Sequence, residues 1–168
     1  SLTEKLLADD ICTKSRKVPV AIYLPGAPGI GKTNFAQQAV RELYHMPGGP
    51  FLANPNVAVI DLNKNFQDEV TTQAAHIIDE FMTINDSQLR IKHAQYLIMD
   101  VNSVPRLHEK AGVNQKNKYW ACHDLVIVTT NADISLATSL VPQMDAIIRR
   151  LDIPLHIIPP DRVGGKFP

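Results

Sequence analysis

Val18-Pro19-Val20-Ala21-Ile22-Tyr23-Leu24-Pro25-Gly26-Ala27-Pro28-Gly29-Ile30-Gly31-Lys32-Thr33 is the stretch whose reading decides the fold. Its first half is short, apolar and rich in β-branched side chains, as a buried strand is. A Gly/Pro loop over 25–31 follows, and 32–45 then reads as a helix, with Phe35, Ala36, Ala39, Val40 and Leu43 at helical spacing. From Gly26 to Thr33 the residues match G-x-x-x-x-G-K-[ST] at every required position, between a strand and a helix as that motif demands. Backbone N–H groups of such a loop point at phosphate oxygens, and the helix start adds the positive end of a dipole. Gly26, Ala27, Pro28, Gly29, Ile30 and Gly31 are therefore expected to cradle the phosphates of ATP. Lys32 is expected to reach the β- and γ-phosphates, and the Thr33 hydroxyl to ligate Mg²⁺. A glycine-rich turn that binds nothing is the competing reading, and the agreement of motif and context argues against it.

Working outward, strands and helices alternate. Strands are expected at 57–61, within 71–81 centred on Ala75-His76-Ile77-Ile78, at 125–129 and at 153–158. Helices are expected over 87–99 and 140–150, the latter with Pro142 in its first turn, where proline is tolerated. Pro154 marks its strand as a sheet edge or strand start. The alternation implies βαβ units, hence an α/β fold with a five-stranded, mostly parallel sheet flanked by helices and the 125–129 strand central. A helical segment over 1–15, an ATPase domain over 16–158 and a tail over 159–168 are the expected divisions.

Composition narrows the function classes. The chain has 168 residues, 45% of them hydrophobic and 20% charged, which excludes disorder and a coiled coil as whole-chain descriptions. Lys plus Arg is 17 and Asp plus Glu is 17, so any nucleic-acid binding must come from a local patch rather than a global field. Cys12 and Cys122 are the only cysteines, too few for a disulfide framework or a four-cysteine zinc site, and are expected to be reduced thiols. No apolar run approaches the roughly 20 residues that span a bilayer, so membrane contact is expected only through segments outside this chain.

A phosphate-binding loop needs an acid on a neighbouring strand. Asp61, Asp79-Glu80 and Asp100 each follow an apolar run. Only Asp79-Glu80 supplies adjacent acids, so Asp79 is assigned to the metal and Glu80 to the attacking water. Asp61 reads as a strand-end carboxylate and Asp100 as a helix end. Asn131, closing Thr129-Thr130-Asn131, offers donor and acceptor together and can bond both the γ-phosphate and the water, or can cap the next helix. Arg149 and Arg150 would complement a helix dipole; in a ring ATPase they would reach a neighbour's γ-phosphate as arginine fingers. The histidines, His45 and His76 among them, show no metal-ligand spacing and read as structural.

The order of loop, apolar-Asp-Glu, Thr-Thr-Asn and Arg-Arg resembles a superfamily 3 helicase, and most closely the 2C-like NTPase of picorna-like positive-strand RNA viruses. The resemblance runs over 16–158 and includes Phe66-Gln67-Asp68, Val101-Asn102-Ser103-Val104-Pro105, Leu107-His108-Glu109-Lys110 and Met144-Asp145-Ala146-Ile147-Ile148. Gln67, Glu69 and Val70 depart from that family's Trp, Gly and Tyr. The resemblance implies an Mg-dependent ATPase of a viral RNA helicase, a non-structural protein of a polyprotein. It would work as a ring homo-oligomer, usually a hexamer, on single-stranded RNA, with other viral replication proteins as partners, at membrane-associated replication sites in the host cytoplasm. The chain would then be the ATPase core of a longer protein.

Lys110, Lys116 and Lys118 beside Tyr119 and Trp120 form a basic, aromatic-interleaved loop, the composition that holds single strands by charge and stacking. A solvated loop with Trp120 plugging the core is the alternative. Two rival functions remain: a nucleotide-gated scaffold without productive unwinding, and a small P-loop kinase, for which the arginines are sparse.

Overall fold

The structure is a computed structural model and describes residues 16–45, 57–116, 118–132 and 144–158. The expected segments at 1–15 and 159–168, and Pro142 with the first turn of its helix, lie outside the described residues.

The strand opening the decisive stretch is β1 (Val20–Pro25), and the helix closing it is α1 (Lys32–His45). Next come β2 (Val57–Asp61), β3 (Ala75–Asp79), α2 (Ser87–Asp100), β4 (Leu125–Thr130), a short α3 (Met144–Ile148) and β5 (Ile153–Pro154). The described strands form one parallel sheet in the order β2-β3-β4-β1-β5, so β4 is central, as expected. β1 begins at Val20 rather than Val18, because Pro19 has no N–H to give a ladder. The fifth strand is two residues long rather than running to Ile158. It is an edge, as Pro154 required, and Asp152 and Leu155 donate N–H groups to the Ala21 and Tyr23 carbonyls on either side of the proline. The helix expected over 140–150 is described only over Met144–Ile148, with Arg149 and Arg150 in the turn after it.

Alternate residues of the central strands face opposite layers. Ile22 and Leu24 of β1, Ala75 and Ile77 of β3, and Leu125 and Ile127 of β4 pack with Ala36, Val40 and Tyr44 of α1. Ala21, Ile78, Val126 and Val128 face the other way, onto Ala94 and Leu97 of α2, Ile147 of α3, and Phe81. With both faces covered, β4 is buried along its whole length, which is why its sequence is continuously apolar. α2 starts where Asp86 caps it, its carboxylate accepting from Gln88 and Leu89 N–H. Among the described residues no helix is long and apolar enough to cross a membrane.

α2 delivers Asp100 to the edge of the sheet where the strands begin, and there the side chain is fully buried. His76 Nδ1 lies 3.0 Å from Asp100 Oδ2 and Arg106 Nη1 3.2 Å from Oδ1. His123 Nε2 is 2.9 Å from the Asp100 carbonyl, and Arg16 Nη1 donates to the same oxygen at 3.1 Å. His76 stacks on His123 at 3.7 Å between ring centroids, and His108 leans on His76. Burial pushes the Asp100 carboxyl up, but His76, His123 and Arg106 pull it well below the ordinary carboxylate range. Burial pushes both His108 and His123 down to about 3, so both are neutral in the fold.

A pH dependence follows. The unfolded chain binds a proton at these histidines near their ordinary pKa of about 6.5, and the fold refuses it until about 3. Their contribution to stability is intact above about 6.5 and falls with pH through that window, by about 1.4 kcal/mol per unit per histidine. At pH 5 the pair removes about 4 kcal/mol, a large share of the 5–15 kcal/mol of a typical domain. The urea midpoint is expected to drop steeply from pH 6.5 to 5. A midpoint flat across that range would contradict this account. Cys122, expected as a reduced thiol, is instead disulfide-bonded.

Candidate active site

Parallel strands bring their C-terminal ends to one edge, and the functional side chains gather there. β1 ends at the loop, β3 ends at Asp79, and β4 lies between them. The tip of β4 is thus inserted between the lysine of the loop and the acid of β3. A cavity of about 320 Å³ opens here, lined by Gly29, Gly31, Lys32, Thr33, Asn34, Asp79, Glu80, Thr129 and Asn131, among others.

The loop closes tightly. Gly26 has φ +155°, and a Cβ there would meet Ile30 Cδ1 at 2.6 Å, so the Ile30 side chain would have to move aside. Gly31 has φ +82°, which admits glycine readily and little else, and it turns the chain into α1. Lys32, the first residue of α1, is only 8% exposed. Its ammonium donates to the carbonyls of Gly26 at 2.9 Å and Ala27 at 2.7 Å, and to Asn131 Oδ1 at 2.6 Å. Burial lowers its pKa, while Asp79 and Glu80 across the cavity oppose that shift. With Oδ1 turned to Lys32, the Asn131 amide keeps its two N–H donors for another partner.

Thr33 Oγ1 donates to Asp79 Oδ1 at 2.8 Å, and Thr129 Oγ1 donates to the same oxygen at 2.6 Å. A hydroxyl oxygen and a carboxylate converging in this way are a hard donor pair that suits a small divalent cation. Glu80 is exposed at the cavity wall in a left-handed conformation, φ +52°, which costs a residue with a Cβ on the order of 1 kcal/mol or more. Its N–H donates to Thr129 Oγ1 at 3.2 Å.

The structure thus brings together Lys32, Thr33, Asp79, Glu80 and Asn131. Sequence reasoning missed Thr129, whose hydroxyl ties the acid of β3 to β4, and Asn34 on the cavity wall; a hydroxyl ending an apolar strand beside the expected asparagine was the available signal. Asp61 pairs with Asp79 in register but is exposed and outside the cavity lining, and Asp100 is buried at the opposite edge.

Arg149 and Arg150 differ sharply. Arg150 donates through Nε to the Val101 carbonyl at 3.1 Å and through Nη1 to the Ala146 carbonyl at 2.8 Å. Arg149 is exposed, and its side chain makes no hydrogen bond or ion pair among the described residues.

The basic loop needs one correction. Lys110 is 2% exposed, and its ammonium donates to the Gln67, Asp68 and Val70 carbonyls, which it holds together as a strut. So engaged, it is not a surface cation offered to RNA. Lys116 and Lys118 are exposed, on an excursion closed by the antiparallel bridge between Leu107 and Trp120, with Trp120 half-buried.

His76, Asp100 and His123 also place donor atoms within 4.8 Å of one another, a metal-like trio that the spacing of the histidines gave no hint of. The guanidinium groups of Arg16 and Arg106 already border it, so the cluster is net positive before any cation arrives. Its members form a hydrogen-bonded lock around Asp100.

The sequence profile of a family described as RNA helicase matches residues 22–132. The genome polyprotein of feline calicivirus is 30% identical over 140 residues, covering 83% of this chain and 7% of the polyprotein. That of vesicular exanthema of swine virus serotype A48 is 30% identical over 123 residues, covering 73% and 6%. The chain therefore spans a small fraction of these relatives. Among solved structures, NtrX from Brucella abortus in complex with ADP gives a TM-score of 0.50 at 13% identity, over 94% of this chain and 36% of that one, a likeness of fold alone. Since the profile spans most of its length, starting inside β1 and ending just past the tip of β4, the chain belongs to the RNA helicase family.

Proposed function

We propose that the chain is the ATP-hydrolysing core of a viral RNA helicase or RNA-remodelling protein acting in positive-strand RNA replication. One observation carries the reading: Lys32 at the start of α1 and Asp79 at the end of β3 face one cavity, and Asn131 and Thr129 at the tip of β4 bond one each. The loop N–H groups and Lys32 hold the triphosphate. Thr33 and Asp79 would hold Mg²⁺, which when bound neutralises charge on the β- and γ-phosphates. Glu80 takes a proton from the attacking water, the Asn131 amide orients that water, and ADP leaves as phosphate forms.

Arg149, whose side chain is unengaged among the described residues where Arg150 is engaged, is the residue of this pair that completes a neighbouring subunit's site in a ring homo-oligomer. Lys116 and Lys118 contact the backbone of single-stranded RNA, and other viral replication proteins complete the assembly in the host cell.

The test is phosphate release from Mg-ATP per protomer over a wide range of protein concentration, with Glu80→Gln as the blank. Specific activity is expected to climb with concentration. A flat profile above the blank would sink the trans arrangement, and a profile at the blank throughout would favour a nucleotide-gated scaffold.

A further inference from the structure

Glu80 stands on backbone that belongs to neither sheet nor helix. Its φ is +52° and that of Met82 is +56°, so two left-handed residues flank Phe81, which is fully buried. Such a segment keeps its shape only where its neighbours over-determine it. From the β4 side, Thr129 Oγ1 accepts the Glu80 N–H, the Thr129 carbonyl accepts the Phe81 N–H at 2.9 Å, and the Thr130 hydroxyl donates to the Phe81 carbonyl at 2.5 Å. The far end is held from α2. The Met82 N–H donates to His93 Nδ1 at 3.0 Å, a buried bond, and the His93 ring packs beside Phe81.

An accepting Nδ1 is an unprotonated one, so the neutral ring carries its hydrogen on Nε2, which has no partner among the described residues. Nothing in the nucleotide chemistry uses this histidine, and it does not line the cavity. Its one polar contact among the described residues is with the segment that aims Glu80.

We propose that His93 is a positioning residue for Glu80: by accepting the Met82 N–H it locks the left-handed turn that presents the Glu80 carboxylate to the cavity. The inference rests on the reading of Glu80 as the group that takes the water's proton. It also carries a sign. A doubly protonated ring would turn an N–H toward the Met82 N–H, and the lock would open on the acid side. Burial holds His93 below its ordinary pKa, helped by Lys92 beside it on α2 and opposed by Asp61 at the end of β2.

The test compares His93→Leu, His93→Asn and Glu80→Gln in the whole chain, reading kcat, KM for Mg-ATP and the pH profile of kcat. In His93→Leu, kcat is expected to fall about 10–100-fold with KM within about threefold, since the loop and Lys32 are untouched. Asn Oδ1 sits as many bonds from the backbone as His Nδ1 and accepts without titrating. His93→Asn is therefore expected to recover most of kcat and to lose the His93 part of the acid limb. Wild-type kcat in His93→Leu, with Glu80→Gln inactive, would overturn the proposal. So would an unchanged acid limb in His93→Asn, or a His93→Asn as slow as His93→Leu. Wild-type turnover in Glu80→Gln would instead overturn the reading of Glu80. If His93→Leu does not fold, His93→Asn decides the matter by its acid limb alone.

Discussion

Lys32→Ala is expected to lower ATP turnover by about 100–1,000-fold while leaving the fold intact. The size follows from where the ammonium sits. It is nearly buried, and it closes the loop by donating to the Gly26 and Ala27 carbonyls as well as to Asn131 across the cavity. A cation held this way has been desolvated in advance, so its attraction for charge developing on a γ-phosphate is stronger than in water. Alanine removes the charge and also frees Asn131, which then loses the bond that orients its amide. Lys32→Arg is not expected to rescue, because a planar fork cannot reproduce three convergent bonds from one nitrogen. Turnover in Lys32→Ala within a few-fold of the parent would contradict the whole placement of the site.

Arg149→Ala should be nearly as severe, on the order of 100–1,000-fold, if its guanidinium completes a neighbour's site. The informative experiment is mixing. Arg149→Ala keeps Glu80, and Glu80→Gln keeps Arg149, so each is inactive alone. In a random one-to-one mixture of a head-to-tail ring, about a quarter of the interfaces pair an intact Glu80 with an intact Arg149. Phosphate release is expected to reappear at that level. No recovery on mixing would sink the trans assignment. Arg150→Ala behaves differently: it breaks bonds to the Val101 and Ala146 carbonyls, so it should cost about 1–3 kcal/mol of stability rather than catalysis.

What could be read from the sequence was whatever is contiguous. Gly26 to Thr33 is legible because the phosphate-binding geometry is made by one short run of backbone. Asp79-Glu80 and Asn131 were legible because each ends an apolar strand, and parallel strands deliver their ends to one edge. The Asp100 lock was not legible: its members come from the approach to β1, from β3, from the end of α2, from a loop and from the approach to β4, and no spacing links them. Lys110 misled for a related reason. A lysine in a basic loop looks solvated until carbonyls 40 or more residues away in sequence converge on it. His93 shows no pattern either, since its role lies in one lone pair facing one N–H.

The strand order has a consequence for how the protein is made. β1, which carries the nucleotide loop, pairs only with β4 and β5 among the described strands, Val20 meeting Leu125 and Ile22 meeting Ile153. During synthesis both ladder sides of β1 therefore wait for more than a hundred residues to emerge. At about 5–20 residues per second that delay is roughly 5–20 s, far longer than a hairpin needs to form. β2 and β3 can pair early, but the loop has no frame until β4 slides between β1 and β3. The ability to hold nucleotide thus arises late and all at once, after translation has passed the Thr-Thr-Asn tip, and a nascent chain stalled before it presents an apolar strand with nothing to pair with.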